Sequence, residues 1–404
     1  MWKKASVTRA ETGIVAAILA LAFAVRLYYM KAFVQPALSG DAANYVAMVK
    51  RWVATGIYSF WGGGPDAYVT PGYPTFLAFF FRWFDGSSHD PLIWVYGAQI
   101  MLSTLTVFGL YLIGRRVCNS YAGYLAGLAY ALYPTAIWAS ALILTETLYI
   151  FLFTGYVYLF LVGMDRESRK WTAAAGFVLG LTVLVRPAVA PLAIMPLIYW
   201  LLVRRVQGPI KLTIWHLAPF VIVMLPWWIR NTISLGHFVA LATQTGNPFL
   251  AGTDPYFTEG ERLFKNLQGV DQQALGWQRI REGLATHPST WIMWFTVGKL
   301  RVLFNDLWVV PHGRYFDMWQ HLHQWGVYLG FSSLLLYVKN VKIRPLLLFV
   351  LIPTALQLMF LPLTRYGFVM MPLLMVLAAV VIVYLATPQR GEQPLEEQKD
   401  RVVP

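Results

Sequence analysis

Apolar residues in this chain continue for a whole helix at a time, and short polar gaps separate the runs. A hydrocarbon core of roughly 30 Å takes about 20 helical residues to cross, and runs of about that length recur from one end of the sequence to the other. They extend over Gly13–Val34, Leu92–Ile113, Tyr121–Ala139, Ile143–Val162, Trp171–Val185, Ala188–Val203, Thr213–Ile229, Gln324–Val338, Pro345–Leu361 and Gly367–Ala386. The pattern predicts an all-α, polytopic transmembrane helical bundle of about ten spans. A signal peptide is the alternative for the first run, but the apolar and aromatic residues continue through Leu27, Tyr28 and Tyr29, so it is read as a retained anchor.

Two segments interrupt this alternation. Between the first two spans, in the loop 35–91, Ala42, Tyr45, Val46, Val49, Trp52 and Val53 recur at helical spacing, which predicts an amphipathic juxtamembrane helix. Pro71–Phe84 in the same loop is apolar but too short to span, and is read as re-entrant or interfacial. The second loop, 230–323, is far more polar, and its aromatic stretch Trp291–Val310 is expected to rest as a helix at headgroup level. The whole of 1–387 is thus read as one membrane domain with two outer loops, followed by a polar cytoplasmic tail, 388–404.

Charge fixes the expected orientation. The net charge of +13 would suggest nucleic acid in a soluble protein, but only 13% of residues are charged and the basic ones fill the short gaps. Clusters such as Arg115 with Arg116, Arg204 with Arg205, and Lys342 with Arg344 mark cytoplasmic loops, and an even number of spans places both termini in the cytoplasm. The single cysteine, Cys118, lies on the same side and forms no disulfide within one chain. No nucleic-acid partner is expected; the bilayer is.

Against this background a few ionisable residues are out of place. Arg186, Arg230 and Arg365 fall at the outer face, against the preference of basic residues, and call for a negative partner, either lipid headgroups or a bound phosphate. Lys299 and Arg301 are further phosphate candidates, or anchors that snorkel from a surface helix. Glu146, at the outer end of a span, is read as the partner of an arginine that in turn holds a phosphate. Asp41 follows the first span in Ser-Gly-Asp-Ala-Ala-Asn-Tyr, where it serves either as a helix cap beside Ser39 or as a general base towards an acceptor hydroxyl. Tyr45 and Tyr73 belong either to the interfacial aromatic belt or to a groove for a sugar or prenyl chain. His321 and His323 are too isolated from other ligands to predict a metal site, and no Walker loop or dinucleotide fingerprint offers a cradle for a soluble nucleotide donor.

Four stretches resemble the GT-C superfamily of membrane glycosyltransferases, specifically the bacterial branch related to protein O-mannosyltransferases and to the lipid A aminoarabinose transferase. They are Ser39–Tyr45, Thr70–Pro74, Leu225–Asn231 with its continuation to Thr253, and Arg365–Pro372; Gly180–Pro187 and the Thr145–Glu146 pair are similar as well. The resemblance implies a GT-C type helical domain, an aspartate in the first outer loop as catalytic residue, and a polyprenyl-phosphate-linked sugar as donor. Asp41 matches that aspartate, with Glu146, Tyr45, Tyr73, Tyr366 and Asn231 as supporting residues on the matching stretches. Asp41 is followed by Ala42 where the mannosyltransferases carry a second acidic residue, which weakens a protein-mannosylating role.

The expected activity is transfer of a sugar to a glycan, lipopolysaccharide or protein acceptor, with inversion, in the bacterial inner membrane and at the periplasmic or exterior face. No cofactor is required for it, and a divalent cation is left open. The alternatives are a flippase or transporter of a lipid-linked glycan and a non-catalytic assembly subunit. A transporter keeps its polar site near the bilayer midplane in repeated halves, and this chain shows no repeat.

Overall fold

The computed structural model describes residues 8–33, 38–84, 90–263, 270–309, 315–336 and 340–387, and they form helices and connecting turns without a strand. The expected tail 388–404 lies outside the described residues. In chain order the helices are α1 (Arg9–Ala32), α2 (Gly40–Thr55), α3 (Gly72–Phe84), α4 (Pro91–Val117), α5 (Ser120–Leu132), α6 (Pro134–Ala139), α7 (Glu146–Asp165), α8 (Arg169–Val185), α9 (Met195–Leu202) and α10 (Pro209–Leu235). After them come α11 (Gly246–Ala251), α12 (Gln272–Thr286), α13 (Pro288–Met293), α14 (Lys299–Phe304), α15 (Phe316–Ser332), α16 (Arg344–Gln357), α17 (Thr364–Phe368) and α18 (Met371–Ala386). Four of these, α1, α4, α7 and α10, are long and apolar enough to cross a membrane.

The remaining apolar runs fold as shorter helices, and proline accounts for most of the shortening. Tyr121–Ala139, expected as one span, breaks at Tyr133–Pro134: Pro134 has no N–H to donate, and Tyr133 before it is extended at φ −68° and ψ 117°. Ala188–Val203 divides likewise into a 3₁₀ segment, Pro187–Ile194, and α9, with Pro191 and Pro196 at the interruptions. The run from Gln324 begins in the second half of a helix, α15, that starts earlier at Phe316 and ends at Ser332, where a 3₁₀ turn, Ser333–Leu336, takes over; its last two residues lie outside the described ones.

Burial orders the bundle from centre to rim. α18 is apolar on every face and buried from Met371 to Val381, packed against α15, α5 and α4, so it forms the hydrophobic axis. α7 is 72% buried along its most apolar window, whereas α1 is only 11% buried and lies at the rim. α8 and α10 pack closely because Gly176 and Gly180 face the α10 backbone and Val223, where a methyl group at Gly176 would sit 1.9 Å from the His216 carbonyl oxygen.

Buried polar side chains fix α1 to the rest. Glu11 accepts hydrogen bonds from the hydroxyls of Tyr111 and Ser120, each at 2.6 Å, and pairs with Arg115 at 2.8 Å. Further along, Arg26 is fully buried and donates to Ser103 Oγ at 2.7 Å and to the carbonyls of Ala131 at 3.0 Å and Tyr130 at 3.2 Å. Those carbonyls lie where α5 stops before Pro134; the Tyr130 carbonyl also accepts from the Tyr133 N–H at 3.4 Å, so the arginine supplements the helix end where the proline withholds the next donor.

Candidate active site

Four helix ends meet at one place. Asp41 is in the first turn of α2, Glu146 in the first turn of α7, Arg186 just past the C-terminus of α8, and Arg365 in the short α17. Carboxylates at helix N-termini and a guanidinium at a helix C-terminus each agree with the helix dipole. Arg186 is extended because Pro187 follows it, which ends α8 and turns the side chain out of the helical path. Gly367 lets α17 approach α14 closely: a methyl group there would sit 1.8 Å from the Leu303 carbonyl oxygen.

Glu146 is the hub. Its Oε1 accepts from Arg186 Nη2 at 2.7 Å and from Arg365 Nε at 2.9 Å. Thr145 Oγ1 accepts from Arg186 Nε at 2.9 Å, and Arg365 Nη1 reaches Asp41 Oδ2 at 2.7 Å. Asp41, Arg365, Glu146 and Arg186 therefore form one continuous chain of charge-assisted hydrogen bonds. Among the described residues, Arg186 Nη1 and Arg365 Nη2 have no protein acceptor, so each guanidinium keeps donor capacity for an anion. Burial works against the charge of Arg365, but the Glu146 and Asp41 carboxylates outweigh it and raise its pKa above the usual arginine value.

Aromatic rings enclose the cluster. Tyr366 lies 5.4 Å from the Arg186 guanidinium and 5.7 Å from that of Arg365, and Trp308 lies 5.8 Å from Arg365. Tyr45, one turn after Asp41, meets Tyr73 edge-on at 5.2 Å. Burial, and after it the Asp41 charge, raises the Tyr45 phenol and keeps it protonated. Tyr73 donates to Gln99 Oε1 at 3.1 Å, and Gln99 in turn donates to the carbonyls of Ser140 and Leu142 at 3.2 and 2.7 Å. A cavity of about 40 Å³ opens beside Arg186, lined among others by Tyr149, Leu303, Phe304, Thr354 and Tyr366. Thr354 Oγ1 has no hydrogen-bond partner, and the space suffices for a few waters.

Other residues singled out in the sequence lie elsewhere. Arg230, at the end of α10, donates to the carbonyls of Asp66 at 2.6 Å and Tyr58 at 2.8 Å, and Asn231 beside it is buried and donates to the Val239 carbonyl at 3.2 Å. Arg230 ties the segment around 58–66 to α10, Asn231 ties down the turn that follows α10, and neither bonds to the cluster. Nor does Lys299 snorkel: it is fully buried and its Nζ donates to the carbonyls of Leu358 at 2.7 Å and Phe360 at 3.1 Å. Burial lowers its pKa to about 7. Arg301 is exposed on the far face of the same helix. The stretch expected to rest at headgroup level is broken by a π turn at Trp294–Gly298, and Trp291 and Trp294 are buried against protein, the latter donating to the Gly252 carbonyl at 3.0 Å.

Neither Ser39 nor Asp41 caps α2 through its side chain. His323 bonds to the Tyr133 hydroxyl and the Phe304 carbonyl, and no group of three metal-ligating side chains occurs among the described residues. Sequence reading missed Gln99 and Arg26, although each is a lone hydrogen-bonding or charged side chain inside an apolar run, which is itself a signal of a buried partner.

Comparison with known proteins shows a partial likeness to one family model and a shared fold. Residues 68–229 match the model of the dolichyl-phosphate-mannose-protein mannosyltransferase family, a span that includes Glu146 and Arg186 but not Asp41 or Arg365. No curated protein matches the chain by sequence. The apo oligosaccharyltransferase of Archaeoglobus fulgidus superposes with a TM-score of 0.58 at 14% identity, over 93% of this chain and 50% of that one. The same archaeal enzyme, AglB, in complex with an inhibitory peptide and a dolichol-phosphate gives 0.52 at 13% identity, over 93% and 50%. ArnT from Cupriavidus metallidurans bound to undecaprenyl phosphate gives 0.48 at 14% identity, over 93% and 79%. The chain thus spans about half the length of the archaeal enzyme it matches. Over that share its fold is the one seen in the archaeal oligosaccharyltransferase, an all-helical fold of the type that the sequence resemblance implied.

Proposed function

We propose that this chain is an inverting glycosyltransferase that moves a sugar from a polyprenyl-phosphate carrier to an acceptor hydroxyl, at the outer face of a bacterial plasma membrane. The observation that carries this reading is the shared carboxylate oxygen of Glu146, which holds Arg186 and Arg365 together while leaving donor capacity on both, with Asp41 at the edge of the same group. Two guanidinium groups fixed in this way form a receptor for a phosphate, and neutralising its developing charge makes phosphate a competent leaving group. The likenesses to the mannosyltransferase family model and to an enzyme solved with a dolichol-phosphate support the same class of donor.

In the proposed reaction the acceptor oxygen attacks the anomeric carbon from the face opposite the phosphate. The new C–O bond forms as the bond to phosphate breaks, the hydroxyl proton passes to Asp41, and the carrier phosphate leaves paired with Arg186 and Arg365. Glu146 acts through the arginines, which it orients. Tyr45, Tyr73 and Tyr366 wall the site. The acceptor is a glycan, lipopolysaccharide or protein.

The test is transfer from a panel of radiolabelled polyprenyl-phosphate sugars by purified protein in lipid nanodiscs. Wild type should release label from the lipid, and Asp41→Asn should lower the rate by a factor of about 10²–10⁴, the usual contribution of a general base, while still binding the carrier. Absence of release by wild type with every donor and acceptor would favour a transporter of the lipid-linked glycan.

A further inference from the structure

The four charges of the cluster, two carboxylates and two guanidinium groups, already balance. A phosphate docking on the remaining donors adds negative charge to a neutral site, and that repulsion favours release of one of the resident carboxylates. The two are unequal. Glu146 has a side chain only 1% exposed and shares one oxygen between both arginines, so moving it would strand two buried cations. The Asp41 side chain is 53% exposed, and its bond to Arg365 Nη1 is its single ion pair. It leaves one hydrogen bond behind and turns into water. Gly40 before it is left-handed at φ +54°, with open space where a side chain on it would project.

We infer that Asp41 is a placeholder: in the resting site its carboxylate occupies, on Arg365 Nη1, the position of a carrier phosphate oxygen, and arrival of the phosphate releases it to face the acceptor. This rests on the donor class proposed above and adds an order to it. The lipid donor binds first, and the base becomes free for the acceptor hydroxyl only once the leaving group is in place. Exposed ion pairs are weak, typically about 0.2–1 kcal/mol, so the exchange costs the carrier little. Arg365 serves as the element that both anions read.

The experiment is equilibrium binding of a short-chain polyprenyl phosphate to nanodisc-held wild type, Asp41→Asn, Arg365→Gln and the double variant. Removing a competing anion should make Asp41→Asn bind about two- to fivefold more tightly than wild type, the factor that an exposed pair corresponds to. That gain should vanish in the Arg365→Gln background, since the competition acts through this side chain. Equal or weaker binding by a folded Asp41→Asn protein, judged by an unchanged thermal transition, would overturn the placeholder role and leave the transferase reading standing. A gain that persists without Arg365 would overturn it too, because bulk electrostatics would then suffice. If wild type and all variants fail to bind the phosphate, the donor class itself is wrong and the inference falls with it.

Discussion

Arg365 and Arg230 are misplaced in the same direction by charge topology, yet they are held in opposite ways. Arg365 meets two carboxylates, Glu146 and Asp41, whereas Arg230 meets the backbone carbonyls of Asp66 and Tyr58. A carbonyl is a fixed, neutral acceptor, and an arginine bound to two of them acts as a staple between segments of backbone. A carboxylate brings a charge that another anion can replace. The difference separates an arginine that builds the scaffold from one that is available to a ligand, although both have the same residue type and the same apparent depth.

The sharpest way to break this comparison is to remove each guanidinium in turn. Arg365→Gln should lower transfer by about 10²–10³, the cost of losing one charge-stabilising donor, with a thermal transition close to wild type. Arg230→Gln should do the reverse: it leaves the part-buried Asp66 carbonyl without its donor, which costs about 1–3 kcal/mol, and transfer per folded molecule should stay near wild type. If Arg230→Gln is stable and inactive, the division between staple and receptor is wrong.

Lys299 sharpens the comparison with a smaller effect. It too is bound to carbonyls, but unlike arginine it can lose its proton, and burial lowers its pKa from the ordinary lysine value of 10.5 to about 7. A neutral amine keeps two N–H donors, enough for both the Leu358 and Phe360 carbonyls. Between about pH 7 and 10 the unfolded chain holds a proton that the folded chain has released, so stability rises with pH across that window. The thermal transition of wild type should climb from pH 7 to pH 9 relative to that of Lys299→Met. Parallel profiles would mean that the ammonium stays charged where it is buried.

What the sequence made legible follows from the kind of pattern each feature leaves. Apolar runs are local, and every one predicted contains helix. The breaks at Pro134 and at Pro187–Pro196 were legible as well, since proline states where a helix must yield, but hydropathy alone runs straight through them. Glu146, Arg186 and Arg365 stood out because each violates a rule of membrane topology, and Asp41 because it opens a helix after a glycine and matches the aspartate that the resemblance implies. That Asp41 touches Arg365, 324 positions away, left no local trace. The fates of Arg230 and Lys299 were hidden for a different reason: their partners are main-chain carbonyls, which every residue carries and no sequence distinguishes.

The seating of Arg26 bears on how the chain is made. Its acceptors on Ala131 and Tyr130 lie 105 and 104 residues downstream, beyond two further helices and the whole first outer loop. A nascent chain that has delivered only α1 to the translocon carries a guanidinium in hydrocarbon with only the Ala22 carbonyl of its own helix to answer it, at about 2.5–3.5 kcal/mol on insertion scales. The lodging of α1 is therefore provisional until the residues before Pro134 arrive.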